Sequence, residues 1–129
     1  MSAGASPMVL TSEQLQAWDP GCGQAVRMAP IWPDGFPLVE DEIRRASGLG
    51  FDFRGLAPFV LSPESLADYQ AEVLASSDEF DSAMGEARAA LMESRDQEAY
   101  RQAAAAARQH RIDRQVAAFI ACLRKDGTL

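Results

Sequence analysis

Residues 78–125 read DEFDSAMGEARAALMESRDQEAYRQAAAAARQHRIDRQVAAFIACLRK, and this stretch decides the fold class. It contains no proline, and its only glycine is Gly85. Ala, Arg, Glu, Gln, Leu and Met dominate it, the residues that lose least side-chain freedom in a helix. The composition predicts helix throughout. The phase of its apolar residues predicts that the helix is not a single straight rod. At about 100° per residue, Phe80, Met84, Ala87 and Leu91 form one stripe, while Tyr100, Ala103, Ala104 and Ala107 fall on the opposite side. Ile112, Val116, Phe119, Ile120 and Leu123 return towards the first side, and these are the expected core positions. One helix of this length would span about 70 Å and would have to bury two opposite faces. Two breaks are therefore expected, at Ser94 to Glu98 and at Arg108 to Arg111. Ser94 and Gln97 have capping-box spacing, which supports the first. The alternative is a long helix between other elements, its poly-Ala middle buried closely on both sides.

Working outward, the sequence offers several helix starts. Ser62-Pro63-Glu64 combines an N-cap, a proline at N1 and an early acid, and opens a helix to about Ala75. Ser76 with Glu79 suggests a fresh start just beyond it. Thr11 with Gln14 has capping-box spacing, and Leu10 and Leu15 sit where a hydrophobic staple joins N′ to N4; that helix stops at Asp19-Pro20-Gly21. Pro37 is placed for the first turn of another helix, followed by Glu40, Asp41 and Glu42 and closed by Gly48. Between Pro20 and Pro37, four prolines and three glycines predict a loop lying across the helices, with one helical turn at Gln24 to Met28. Within that loop, Trp32-Pro33-Asp34-Gly35 fits a type I turn. Residues 50–59 could form a short strand, but with no second strand to pair with them an irregular segment or a single helical turn is expected. Residues 1–7 are small and polar and are expected to be a loose tail. The expected whole is a single all-α domain, residues 1–129, of five or six helices.

Charge and composition narrow the function classes. The net charge of −7 divides into −10 over residues 1–87 and +3 over residues 88–129. No apolar run reaches the length of a membrane span, and the N-terminus lacks the basic and apolar regions of a secretory signal. Two widely spaced cysteines make no disulfide framework, so a cytoplasmic location is expected. Zinc needs a Cys-x-x-Cys or a His pair, and the chain has one histidine, His110. Asp78-Glu79-Phe80-Asp81 lacks the glycine and terminal glutamate of a calcium loop, and no phosphate-cradling glycine motif occurs. Neither a metal nor a cofactor is expected. A cysteine enzyme would need Cys22 or Cys122 beside His110; Cys122 reads more simply as a small buried hydrophobe.

Three features point to contact with a partner. Glu64, Asp68 and Glu72 recur every four residues and form an acidic ladder on one helix face, suited to a basic partner or simply to water. Arg108, Arg111 and Arg114, with Arg101, form an opposite pole around the last helix, expected mainly to pair with the acidic front half. Trp32, beside a proline-bounded turn, is the expected exposed anchor.

Leu10-Thr11-Ser12-Glu13-Gln14-Leu15, the isolated Cys22, Trp32-Pro33-Asp34-Gly35 and Gly48-Leu49-Gly50-Phe51 before Leu61-Ser62-Pro63 together resemble short uncharacterised proteins encoded in phages and prophages of high-GC bacteria. The resemblance covers Leu10 to Tyr69 and implies an origin without an activity. The expected function is non-enzymatic: a small acidic protein that binds a protein or nucleoprotein complex, such as an inhibitor or modifier of a host complex in the anti-CRISPR manner. A nucleic-acid-associated regulator using Arg101 to Lys125 is second, and a cysteine-dependent enzyme third.

Overall fold

A computed structural model describes residues 8–18 and 23–129. The loose tail expected at 1–7, the helix stop at Asp19-Pro20-Gly21 and Cys22 lie outside the described residues. Among the described residues the fold is all-α apart from one two-stranded sheet of two residues per strand. Strand β1 (Val9–Leu10) leads into α1 (Ser12–Trp18), followed by α2 (Gln24–Met28), β2 (Phe36–Pro37), α3 (Glu40–Gly48) and the short α4 (Ala57–Val60). Two long helices complete the fold, α5 (Pro63–Ser94) and α6 (Gln97–Lys125), giving six helices among the described residues.

Local chemistry explains most of these boundaries. Thr11 and Gln14 form the expected reciprocal box: Gln14 N–H donates to Thr11 Oγ1 at 3.1 Å, and Thr11 N–H to Gln14 Oε1 at 2.9 Å. Leu10 and Leu15 are both buried in the core. The turn at Trp32 to Gly35 closes through Gly35 N–H to Trp32 O at 3.0 Å. Gly35 has φ +102°, and a Cβ there would lie 2.6 Å from Val9, so only glycine lets the turn sit against β1. Antiparallel pairing of Val9 with Pro37 and Leu10 with Phe36 then claims Pro37. Helix α3 therefore starts at Glu40 and not at Pro37, with its three acids still in the first turn.

Residues 51–53 are irregular, as expected, because a side chain takes the place of a neighbouring strand. Buried Gln24 donates to Asp52 O at 2.8 Å and accepts from Asp52 N–H at 2.9 Å. Ser62 caps α5, accepting from Ser65 N–H at 3.2 Å, with Pro63 at N1.

The two long helices settle the question of breaks. The chain does reverse inside Ser94 to Glu98: α5 ends at Ser94, Arg95 takes a left-handed conformation, and Asp96 caps α6 through Ala99 N–H at 3.0 Å. The cap is Asp96 rather than Ser94, whose hydroxyl donates back to Ala90 O. The second expected break, at Arg108 to Arg111, is absent, since α6 runs unbroken to Lys125. Nor does Ser76 start a helix. It is fully buried inside α5, its hydroxyl donating to Val73 O at 2.9 Å. The alternative with a closely buried poly-Ala middle also fails: Ala104 is buried, but Ala103, Ala105 and Ala106 are exposed.

The shift of apolar phase along α6 marks a change of neighbours, not a break. Towards the reversal, α6 runs beside α5, and Met84, Ala87 and Ala104 are the buried apolar positions, all outside the main core cluster. Nearer its end, α6 turns a second face, Val116, Phe119, Ile120 and Leu123, into the main core. That core is threaded by aromatic rings. Trp32 meets Phe36 edge-on at 4.8 Å, Phe36 leads to Phe53 at 5.9 Å, and Phe53 stacks on Phe119 at 4.9 Å with Tyr69 on its other flank. The molecule thus has a head, built from residues 8–18, 23–69 and 116–129, and an arm, the rest of the α5–α6 hairpin. From Val73 to Ser94 the arm extends about 30 Å at 1.5 Å per residue.

Ile112 departs from the expected core. It is 37% exposed and sits at the edge of the head, beyond the last fully covered layer at Val116. Trp32, expected to be exposed, is also a correction. The Pro33 turn folds the indole inward to 7% exposure, where its N–H donates to Glu42 at 3.1 Å and Arg45 stacks over it at 5.3 Å.

Candidate functional site

Charged side chains are distributed in three zones, and their pairing separates structural charge from free charge. The first zone is the base of the hairpin. Lys125 donates to Glu64 and Asp68 at 2.9 Å each, and Arg114 bridges Glu72 and Glu79. The whole acidic ladder is therefore paired with α6, which is how α5 and α6 hold their register across a seam poor in large apolar residues. These two carboxylates hold the Lys125 ammonium above the ordinary lysine range. Arg124 reaches α3 through Glu40, and Arg44 and Arg124 together lower the Glu40 pKa. Beside this zone Asp126 ties the two chain directions together. Its carboxylate accepts from Ser65 Oγ at 2.6 Å, Ser62 N at 2.7 Å and Ser62 Oγ at 2.8 Å, which lowers its pKa below the usual carboxylate value. Nothing in the sequence flags Asp126, because its partners appear only once the hairpin closes.

The second zone is the outer face of the arm. Asp78, Glu86 and Glu93 point away from α6 by helical phase, opposite Phe80, Met84, Ala87 and Leu91, and Asp81 lies on the flank between the two faces. All four are exposed, and none has an ion-pair or hydrogen-bond partner among the described residues. The sequence ladder at 64–72 was the conspicuous acidic pattern; the unpaired one lies further along the same helix at irregular spacing.

The third zone is a cleft of about 250 Å³ where the head meets the root of the arm. Asp52, Arg54, Tyr69, Arg111, Ile112 and Gln115 are among the residues that line it. Asp52 accepts from Arg54 N–H at 2.8 Å and Nε at 2.7 Å, so Arg54 is neutralised in place. Burial, reinforced by the Asp52 charge, raises the Tyr69 pKa above the ordinary tyrosine value, so its hydroxyl stays protonated. Arg111 is different. Its guanidinium lies over the Phe80 ring at 4.0 Å and has no carboxylate partner among the described residues.

The Arg pole proposed from sequence is thus split. Arg114 is committed to Glu72 and Glu79, Arg101 to Glu98 within its own helix, Arg111 to an aromatic ring, and Arg108 is exposed without an acidic partner among the described residues. Cys122 is buried, its thiol donating to Ser65 O at 3.3 Å, and burial raises its pKa. His110 lies on the exposed side of α6, 3.7 Å from Glu79. No group of three His, Cys, Asp or Glu side chains with metal-binding placement occurs among the described residues. No helix among them is long and apolar enough to cross a membrane. Comparison with family models, curated proteins and solved structures finds no match, so function has to be argued from the geometry.

Proposed function

We propose that this chain acts by stoichiometric contact with another macromolecule, presenting the outer face of the α5 arm to a basic surface, and not by turnover. The supporting observation is the division of acids along α5. Glu64, Asp68 and Glu72 are used internally, whereas Asp78, Asp81, Glu86 and Glu93 are left to solvent on a helix that outruns the core. Free charge on a projecting element steers encounter and sets specificity. In its concrete form the reading is that of a phage-encoded inhibitor or modifier of a host protein or nucleoprotein complex, anti-CRISPR-like and cytoplasmic. A nucleic-acid regulator using Arg101 to Lys125 ranks below it. Most cations of that segment already face carboxylates of the same chain, and a −7 protein meets repulsion from phosphate.

The test is the triple charge reversal Asp78→Lys, Asp81→Lys, Glu86→Lys. Lysine is as good a helix former as the residues replaced, and no internal pair is broken, so thermal stability should be retained. Association with the captured partner should slow most at low salt, where screening is weakest. The partner should be bound near one equivalent and keep its mass. A partner converted by sub-stoichiometric protein, detected as a covalent mass change, would overturn the reading. Reversing Glu64, Asp68 and Glu72 would be a poorer test, since it strips Lys125 and Arg114 of their partners.

A further inference from the structure

The third zone carries an inference independent of the acidic arm. The other cation lining that cleft, Arg54, is matched by the Asp52 carboxylate; Arg111 has no such partner among the described residues. Stacking on Phe80 fixes the plane of its guanidinium and restrains the side chain without consuming its N–H donors. None of those donors makes a hydrogen bond among the described residues. The result is a restrained guanidinium on a residue that lines a concave site, carrying an unmatched positive charge in a chain whose net charge is −7.

The surroundings complete the description of a ligand. Ile112 and Val116 give the cleft an apolar side, Ile112 with 37% exposure at the edge of the head and Val116 buried one turn further on. Gln115 adds a neutral amide, its Nε2 already directed to Ser76 Oγ at 3.2 Å. The cavity of about 250 Å³ falls below the roughly 300–1,000 Å³ of sites for drug-sized ligands. It suits a group about one residue in size.

We infer that the cleft between Arg54 and Arg111 is a carboxylate-binding site, in which Arg111 takes a carboxylate through its N–H fork while Ile112 and Val116 cover an attached aliphatic body. Arg–carboxylate pairing of this kind is bidentate and directional. A polyphosphate or nucleic acid fits less well, because one unmatched cation in an acidic chain offers little against many phosphates. The carboxylate has two sources, the chain end of a protein partner or a free small carboxylic acid.

Side-chain NMR of arginine-labelled protein distinguishes them, with acetate, N-acetyl-leucine and inorganic phosphate as probes. The Arg111 Nε–H signal should shift saturably with N-acetyl-leucine. Half-saturation about tenfold or more below that of acetate, worth about 1.4 kcal/mol, assigns the site to a chain end seated on the aliphatic lining. Equal half-saturation leaves Ile112 and Val116 without a part in binding and overturns the assignment to a chain end, leaving a bare carboxylate on Arg111 alone. Arg111→Lys keeps the charge but loses the fork and ring stacking; read from the backbone amides of Ile112 and Val116, its half-saturation for both carboxylates should rise while the fold is retained. The inference is overturned if neither carboxylate saturates, if phosphate binds more tightly than both, or if Arg111→Lys binds unchanged. These readings concern Arg111 alone and stand or fall apart from the partner experiment on the arm.

Discussion

Phe119 and Ala104 lie on the same helix, yet different neighbours hold them. Phe119 is fully buried, stacked on Phe53 at 4.9 Å and flanked by Tyr69 at 5.7 Å, within a core drawn from elements throughout the chain. Ala104 is 4% exposed but lies outside the main core cluster, on the part of α6 that pairs with α5. In the head, stability comes from apolar area and ring packing. In the arm, a small methyl lets two helices approach closely, and charge pairs such as Arg114 with Glu72 and Glu79 fix their register. A fold with this division can tolerate change in its arm that its head cannot, which is where a contact surface is best carried.

The largest expected effect sharpens that contrast. Phe119→Ala should cost about 3–5 kcal/mol, because the cavity would open between two aromatic partners with little room to collapse. Ala104→Gly should cost about 1 kcal/mol, the helix-propensity difference, since the seam loses only one methyl. Chemical denaturation of the two variants checks the ranking. Similar losses for both would mean that the arm is as tightly integrated as the head.

An intermediate effect is expected at the root of the arm. Arg114→Gln removes the cation shared by Glu72 and Glu79, which lie on α5 with partial exposure. The expected cost is at most about 1 kcal/mol, as solvent screens such pairs. Its signature should be local: amides of residues 78–110 should exchange faster while those around Phe119 hold their protection. Uniformly faster exchange would show that head and arm unfold as one unit and that the division drawn above is only geometric.

How much of this was legible in the sequence depends on whether a residue's environment is local. Caps and turns use neighbours in the chain, so Thr11 with Gln14, Ser62 with Pro63, and Trp32 to Gly35 could be read directly. The reversal at Ser94 to Glu98 was legible too, because opposite apolar faces on either side require it. The second phase change along α6 looked the same in sequence and arose differently, from a new covering element. Periodicity reports which side is covered and is silent on whether the helix or its neighbour has changed. Trp32 was misplaced for a related reason: proline and glycine locate the turn, but the inward rotamer depends on Phe36 and Glu42. The candidate site was least legible. Arg111 and Phe80 approach only across the hairpin, and the pairing that removes Glu64, Asp68 and Glu72 from the free surface comes from residues at the far end of the chain.

The smallest expected effect concerns the point where both long helices are anchored to the head. Asp126 accepts three hydrogen bonds from Ser62 and Ser65, with the Ser65 hydroxyl the leading cause of its lowered pKa, ahead of the Ser62 N–H and hydroxyl. A carboxyl whose folded pKa is depressed contributes stability that is fully present above its unfolded value, near 3.8, and is lost as pH falls through the lower folded value. Glu40, lowered by Arg44 and then Arg124, acts in the same direction. The wild type should therefore lose melting temperature progressively as the solution is acidified below pH 3.8. Asp126→Asn should melt below the wild type at neutral pH, and the gap should close in acid, where the wild-type carboxyl has itself become neutral. Glu40 supplies the control, since Glu40→Gln removes a carboxylate from the head surface without touching the serine contacts. If the Asp126→Asn gap stays constant across the same pH range, the three hydrogen bonds are held by shape and not by charge, and the arm's attachment to the head is insensitive to acid.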